Sequence, residues 1–304
     1  MGNVKDFYVL RYFVVDEGAS LLPPKKVPDI KGETILEALL SNTRWETRGT
    51  EFQFIGFSKE PIDEESFYVG KIAKLKKAHL GVETSEDIVD QEADDWKAVI
   101  LIVDVKNQFI FARKNSKFGD LSHICNSIQK GINNIVIPEY NHKVFVEPLP
   151  SKGKFWEVVE NSEKIYKVEL VMISPNIMET NKTARNALSD MKNLFNQDKT
   201  RIIMENSEGK LIVPYEPIDD YVDYIEEGEG RWELVTADNK TKKKEKYTSD
   251  GTPEILDIDV EDIDRENEKL MDNRQIEMYE VEMSKNNNFL KKFKRYIEGK
   301  VRKN

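Results

Sequence analysis

The chain is short of the residue types from which most reactive centres are built. Its 304 residues include one cysteine, Cys125, and three histidines, His79, His123 and His142. One thiol excludes an intramolecular disulfide and any zinc site made of several thiolates. The histidines are far apart and show neither HxH nor HExxH spacing, so no polyhistidine metal site is expected. Cys125 falls in a stretch read as helix, where a buried structural thiol is the expectation. His123, two positions away, does not share its helix face. A solitary reduced thiol fits a reducing cytoplasm.

Long apolar runs are also missing. The longest, Ala98–Val103, is far below the ~18 residues that a membrane-spanning helix needs, so no membrane span is expected. The start of the chain lacks a basic segment followed by an apolar core, so no secretory signal is expected. Met1-Gly2 opens like a myristoylation site, but Asp6 stands where Ser or Thr is required. Phosphate-cradling glycine loops are absent. Glu227-Gly-Glu-Gly230 supplies two glycines, but no GxGxxG or GxxxxGK[ST] follows a strand, and Glu229 would repel a phosphate. No GxSxG nucleophile elbow occurs. No cofactor, no metal and no catalytic residue is therefore expected.

What the chain does have is charge and alternation. Charged residues make up 34% and the net charge is −10, which leaves room only for a local basic patch. Phe7–Val15, Glu51–Phe57 and Phe67–Leu75 are rich in aromatic and β-branched residues and read as strands. Trp96–Val105 and Gln108–Arg113 read as a hairpin over Lys106-Asn107. Residues 34–40, 121–132 and 155–159 read as helices, and Lys143–Val146 as a short strand closed by Pro148 and Pro150. The acidic stretch Glu83–Asp95 reads as a solvated loop or helix face.

Residues 165–213 form the clearest structural unit. Ile165–Ser174 reads as a buried strand. Ala184, Ala187, Leu188, Met191, Leu194 and Phe195 then recur on one helix face. Arg201–Met204 and Lys210–Val213 read as two strands about an Asn206–Gly209 turn. Arg231–Thr236 alternates like an edge strand, Lys240–Lys246 reads as a lysine-rich tip or loop, and Glu254–Val260 as a last strand. Residues 265–283 and 289–301 read as helices. Hairpin-linked strands without a βαβ repeat predict an α+β fold with a largely antiparallel sheet. The expected organisation is an α+β unit over 1–160, a second over 161–260 that continues the sheet, and a helical extension over 261–304 with a basic end.

The basic last helix carries the functional expectation. Phe289, Leu290, Phe293, Ile297 and Val301 form a stripe surrounded by Lys291, Lys292, Lys294, Arg295, Lys300, Arg302 and Lys303. Such a segment can neutralise phosphates or dock on an acidic protein, although a helix packed on its own domain and solvated on its basic side is the simpler account. The acidic blocks 216–229 and 250–268 offer a third possibility, that of shielding the helix until a polyanion competes. Lys242, Lys243 and Lys244 form a second basic element, which without proximity to the first is a solvated turn. The competing class is a divalent-metal nuclease, with Asp104-Val-Lys106 or Glu208-Gly-Lys210 as its carboxylate-lysine fragments. Both fragments fall in expected turns rather than side by side on a strand.

The Lys-, Asn-, Ile- and Glu-rich composition resembles that of proteins from AT-rich bacteria and their phages. Chains of this size without a catalytic signature often serve there as accessory subunits in defence or counter-defence. The resulting expectation is a non-enzymatic cytoplasmic binding protein within a larger complex. It would contact nucleic acid or a protein partner through the basic helix; homo-oligomerisation is compatible with this.

Overall fold

The computed structural model describes residues 4–18, 23–62, 66–83, 85, 87–173, 183–237, 243–259 and 287–301. The fold is α+β, with two antiparallel sheets and packed helices. Its organising strand is Val4–Asp16 (β1). Val9 and Phe13 face one side and Leu10, Tyr12 and Val14 the other, and all are buried. A strand apolar on both faces must lie between two packed layers.

β1 pairs with Phe109–Arg113 (β6) along one edge, over Phe7–Arg11. Its other edge takes two partners in succession. Ile255–Asp259 (β12) pairs with Val4–Tyr8, and His142–Pro148 (β7) with Leu10–Asp16. Because Leu10 and Arg11 pair with both β6 and β7, those two strands must flank β1 on opposite sides. The sheet continues from β6 through Ile88–Asp104 (β5), Phe67–Glu83 (β4), Thr50–Ile55 (β3) and Trp45–Thr47 (β2). The hairpin expected over Lys106-Asn107 is the β5–β6 turn.

One face of this sheet is covered by the short helix Leu36–Leu40 (α1) and by Leu121–Tyr140 (α2). Asp120 caps α2 by accepting the His123 N–H at 2.7 Å. Asn141, left-handed at φ 55°, ends it. α2 also closes the free edge of β7. Asn133 accepts from the Val144 N–H at 2.7 Å and donates to the Val144 carbonyl at 2.8 Å, while Gln129 accepts from the Val146 N–H at 3.0 Å.

The second sheet is smaller and runs Lys244–Thr248 (β11), Gly230–Ala237 (β10), Lys164–Ile173 (β8), Lys199–Glu205 (β9). Lys154–Glu160 (α3), Thr183–Phe195 (α4) and Tyr215–Tyr224 (α5) pack on it around Phe155, Leu170, Leu188, Val222 and Trp232. A π-turn, Ile225–Glu229, joins α5 to β10. After β11 the chain returns to the first sheet as β12. Asn287–Val301 (α6) then crosses the first sheet on the face opposite α2.

Four local expectations are corrected. The acidic stretch is neither loop nor helix but the outer half of β5, held in register by β4 from Phe67↔Asp104 to Glu83↔Ile88. Lys210–Val213 is not a strand. The Asn206 side chain gathers the Glu208 and Lys210 N–H groups, and only Lys210 bridges to Ile165 before Pro214 removes a donor. β10 is internal rather than an edge, since β8 and β11 flank it. Leu194 and Phe195, expected on the packed face of α4, are 76% and 74% exposed, because on that face only the earlier Ala184 and Leu188 are buried in the core of the second sheet. The expected helix at 265–283 lies outside the described residues.

α6 is seated by Phe289, Leu290, Phe293 and Ile297, all buried against Phe7, Val9, Phe109 and Phe111. At roughly 1.5–3 kcal/mol per buried side chain, the seat is worth on the order of 6–12 kcal/mol. The Phe293 ring meets Phe111 edge-on at 4.7 Å and Phe7 at 5.2 Å. Phe293→Ala is expected to cost about 3–5 kcal/mol. Urea unfolding should show a lower midpoint at an unchanged slope; an unmoved midpoint would mean that α6 is not part of the core.

A charged cavity beneath the basic helix

The odd positions of β1 face the layer that contains α6. Val9 and Phe13 obey the apolar alternation, and Arg11 between them breaks it. Arg11 is only 8% exposed. Its guanidinium lies 5.1 Å from the Phe109 ring centroid and 5.3 Å from that of Phe13, the geometry in which a desolvated cation is attracted by aromatic faces. It also donates to the Glu227 carbonyl at 3.1 Å. Gly228, at φ +90°, packs against this side chain, and a Cβ there would stand 3.1 Å from Arg11 Cβ and Cγ.

Arg11 forms the floor of a cavity of about 530 Å³, within the size range of small-ligand sites. The first sheet supplies Arg11 and Phe109, and the segment after β7 supplies Leu149 and Lys152. α5 and the π-turn supply Asp223, Glu226 and Glu227; α6 supplies Arg295, Tyr296, Gly299 and Lys300. One wall is therefore acidic and the facing wall basic, with aromatic surface between them.

Several of these charges already have work. Lys300 Nζ donates to Glu254 at 2.6 Å, anchoring the last turn of α6 to the segment before β12. Glu226 accepts the Gly153 N–H at 2.8 Å, and burial raises the pKa of its carboxyl above the ordinary value. Burial likewise pushes the Tyr296 phenol far above its ordinary value, and the nearby Glu254 charge pushes it the same way. A partly exposed ion pair such as Lys300–Glu254 is worth ~1 kcal/mol, whereas the apolar seat of α6 is several times larger. The buried phenylalanines therefore contribute more to seating the helix than this ion pair does.

The expected basic residues divide accordingly. Arg295 and Lys300 reach the cavity. Lys291, Lys292 and Arg295 lie on the exposed side of α6, and Lys294 is half-buried. Lys243 and Lys244 are exposed at the start of β11, on the other sheet, where the Lys244 ammonium sits 4.0 Å over the Tyr166 ring. Lys242, Arg302 and Lys303 lie outside the described residues. Arg11, Lys152 and Tyr296 were not among the expected site residues. Only Arg11 carries a sequence signal, a cation at an apolar position of an alternating strand.

The carboxylate-lysine fragments have other duties. The Asp104 carboxylate is buried and accepts from the Lys106 and Asn107 N–H groups and from the Asn107 side chain, closing the β5–β6 turn. Glu208 pairs with Lys210 at 2.5 Å on an exposed turn. His79 pairs with Asp90, the His123 ring packs on Phe52 and Phe118, and His142 bonds the Tyr140 carbonyl. Among the described residues no three His, Cys, Asp or Glu side chains are grouped so as to hold a metal ion. Among them, too, no helix is long and apolar enough to cross a membrane.

Fold and site define an α+β protein of two antiparallel sheets in which a basic helix roofs a charged cavity. The chain belongs to the family described as a domain of unknown function, DUF4747, whose model matches residues 24–273. β1 and α6 lie outside the matched segment, whereas the β4–β5 hairpin lies within it. A search of curated proteins finds no match.

The buried phenols give a pH signature. Tyr12, buried beside Asp104 and Glu33, is also held well above the ordinary tyrosine value, chiefly by burial. A raised folded-state pKa leaves stability intact below the unfolded value of about 10 and removes it as pH rises further. In an ultraviolet titration, Tyr12 and Tyr296 should stay protonated until alkali unfolds the chain. Tyr296→Phe should remove one late-titrating group and flatten the alkaline fall in stability. Titration of every tyrosine as one class in the folded protein would contradict this.

Proposed function

We propose that the protein is a non-enzymatic binding subunit that holds nucleic acid against the outer side of α6. The observation carrying this is the division of labour within the helix. Its apolar stripe is committed to the first sheet, while Lys291 and Lys292 are exposed on a rigid support and Arg295, also exposed, lies at the rim of the cavity. Cations fixed on a docked helix contact phosphates with little further loss of side-chain and backbone freedom. With a net charge of −10 for the whole chain, binding by the overall field is unfavourable, so the contact must be local. The single cysteine is buried and free, which fits the reducing cytoplasm. Participation in a larger assembly, in defence or counter-defence between bacteria and phages, belongs to the same proposal and is supported by composition alone.

Fluorescence anisotropy with labelled DNA and RNA oligonucleotides over a series of salt concentrations tests the reading. Affinity should fall with salt, and the variant carrying Lys291→Glu, Lys292→Glu and Arg295→Glu should bind more weakly. Its logarithmic salt slope should be shallower by roughly 2–3, near 0.9 for each duplex phosphate that the variant no longer neutralises. Salt-insensitive binding, or none, by the unaltered protein would overturn the nucleic-acid reading. A protein that co-purifies from native cells with the unaltered chain, but not with the triple variant, would redirect it to an acidic protein surface.

A further inference from the structure

The long β4–β5 hairpin is only half supported. β3 accompanies β4 over Lys71–Lys74, and β6 accompanies β5 over Leu101–Asp104. Beyond those points, among the described residues, the two strands pair only with each other, out to Glu83↔Ile88. A two-stranded ribbon without a third strand or a packed face is marginal in water. Here it also carries exposed apolar side chains: Leu80 at 52%, Val82 at 39%, Ile88 at 70% and Val89 at 51%. Its cross-strand ion pairs, Lys77–Asp94 at 2.7 Å, Lys77–Glu92 at 3.1 Å and His79–Asp90 at 3.1 Å, are exposed and worth little. Elsewhere the fold closes such an edge, as α2 does for β7. An open, apolar edge is a template for another strand.

The charge pattern selects the occupant. We infer that the outer half of β4 pairs antiparallel with the same strand of a second copy of this chain, about a two-fold axis at Leu80. A two-fold axis normal to the sheet sets residue i opposite a residue on the same face, so the axis must pass through a residue. Centring on Leu80 sets Leu80 against itself and Ala78 against Val82 on one face. On the other face Lys77 falls opposite Glu83, once on each side of the axis. Opposite charges directly across a strand pair stabilise it, and like charges destabilise it. The β5 edge fails the same test. Asp90, Glu92, Asp94 and Asp95 lie so close together that every axis from Gln91 to Asp95 sets acid against acid. The acidic strand thus guards one edge and leaves the β4 edge to form a continuous β5–β4–β4–β5 ribbon between two copies.

Sedimentation of the full chain at tens of micromolar should give a mass near twice 35.3 kDa. Leu80→Lys, a change at an exposed position, should give the single-chain mass with an unaltered circular dichroism spectrum. Glu83→Lys, which sets lysine against Lys77 of the second copy, should weaken the dimer at least tenfold, and Glu83→Gln should weaken it less. Mild oxidation of Leu80→Cys should yield a covalent dimer, the buried Cys125 remaining unreacted. A single-chain mass for the unaltered protein would overturn the proposal. So would a dimer indifferent to Glu83→Lys, or one weakened no more by it than by Glu83→Gln.

Discussion

Burial of β1 on both faces is the constraint on which the rest of the molecule depends. A strand whose two sides are both apolar cannot rest on a single layer, so the fold must supply a second. α1 and α2 provide the first layer, around Leu10, Tyr12 and Val14. α6 provides the other, around Phe7 and Val9, and the second sheet meets the remainder where Phe13 and Val15 cluster with Phe145 and Ile173. The cavity lies where these two partial covers fail to meet, and Arg11 occupies the β1 position beneath that gap. Site and fold therefore have one origin.

That view changes what the basic helix is. By its sequence it is an amphipathic segment with an excess of cations, for which a helix docked on its own domain is the simpler account and a partner-binding segment the alternative. Its phenylalanines reach the aromatic face formed by β1 and β6, so its burial energy exceeds anything its ion pairs contribute. The cations then become a fixed array rather than a tethered cloud. A fixed array can discriminate among the shapes of anionic partners, whereas a flexible basic tail responds mostly to charge density.

The sequence shows those features that depend on local periodicity. The α+β class, the strands beginning at Phe7 and Phe67, the hairpin over Lys106-Asn107 and the helices near 121 and 155 follow from alternation and helical spacing that each segment carries itself. The acidic run was misleading for the opposite reason. Asp90, Glu92, Asp94 and Asp95 have poor strand propensity and no apolar alternation, and they are extended only because β4 holds them in register. Leu194 and Phe195 obey helical spacing yet stay exposed, since periodicity says which side a residue faces and not how far the opposing surface extends. The cavity was hidden because its lining comes from segments distant in sequence. Asp223 and Glu226 are legible as an acidic block, but nothing local places them in one cavity with Arg295 and Lys300.

The return of the chain to β1 through β12 also bears on biosynthesis. Val4 pairs with Asp259, and between these two strands lies the whole second sheet. As the chain leaves the ribosome, β1 has its β6 and β7 partners early, but part of its edge waits for β12, made after the whole second sheet. Phe7 and Val9 stay open to solvent throughout that interval. The distance in sequence between β1 and β12 makes closure of the first sheet a step of long sequence separation, slow by its topology. The nascent protein is then most exposed to misassociation while its second sheet is being made, and a chaperone that binds aromatic strands would find its target in β1.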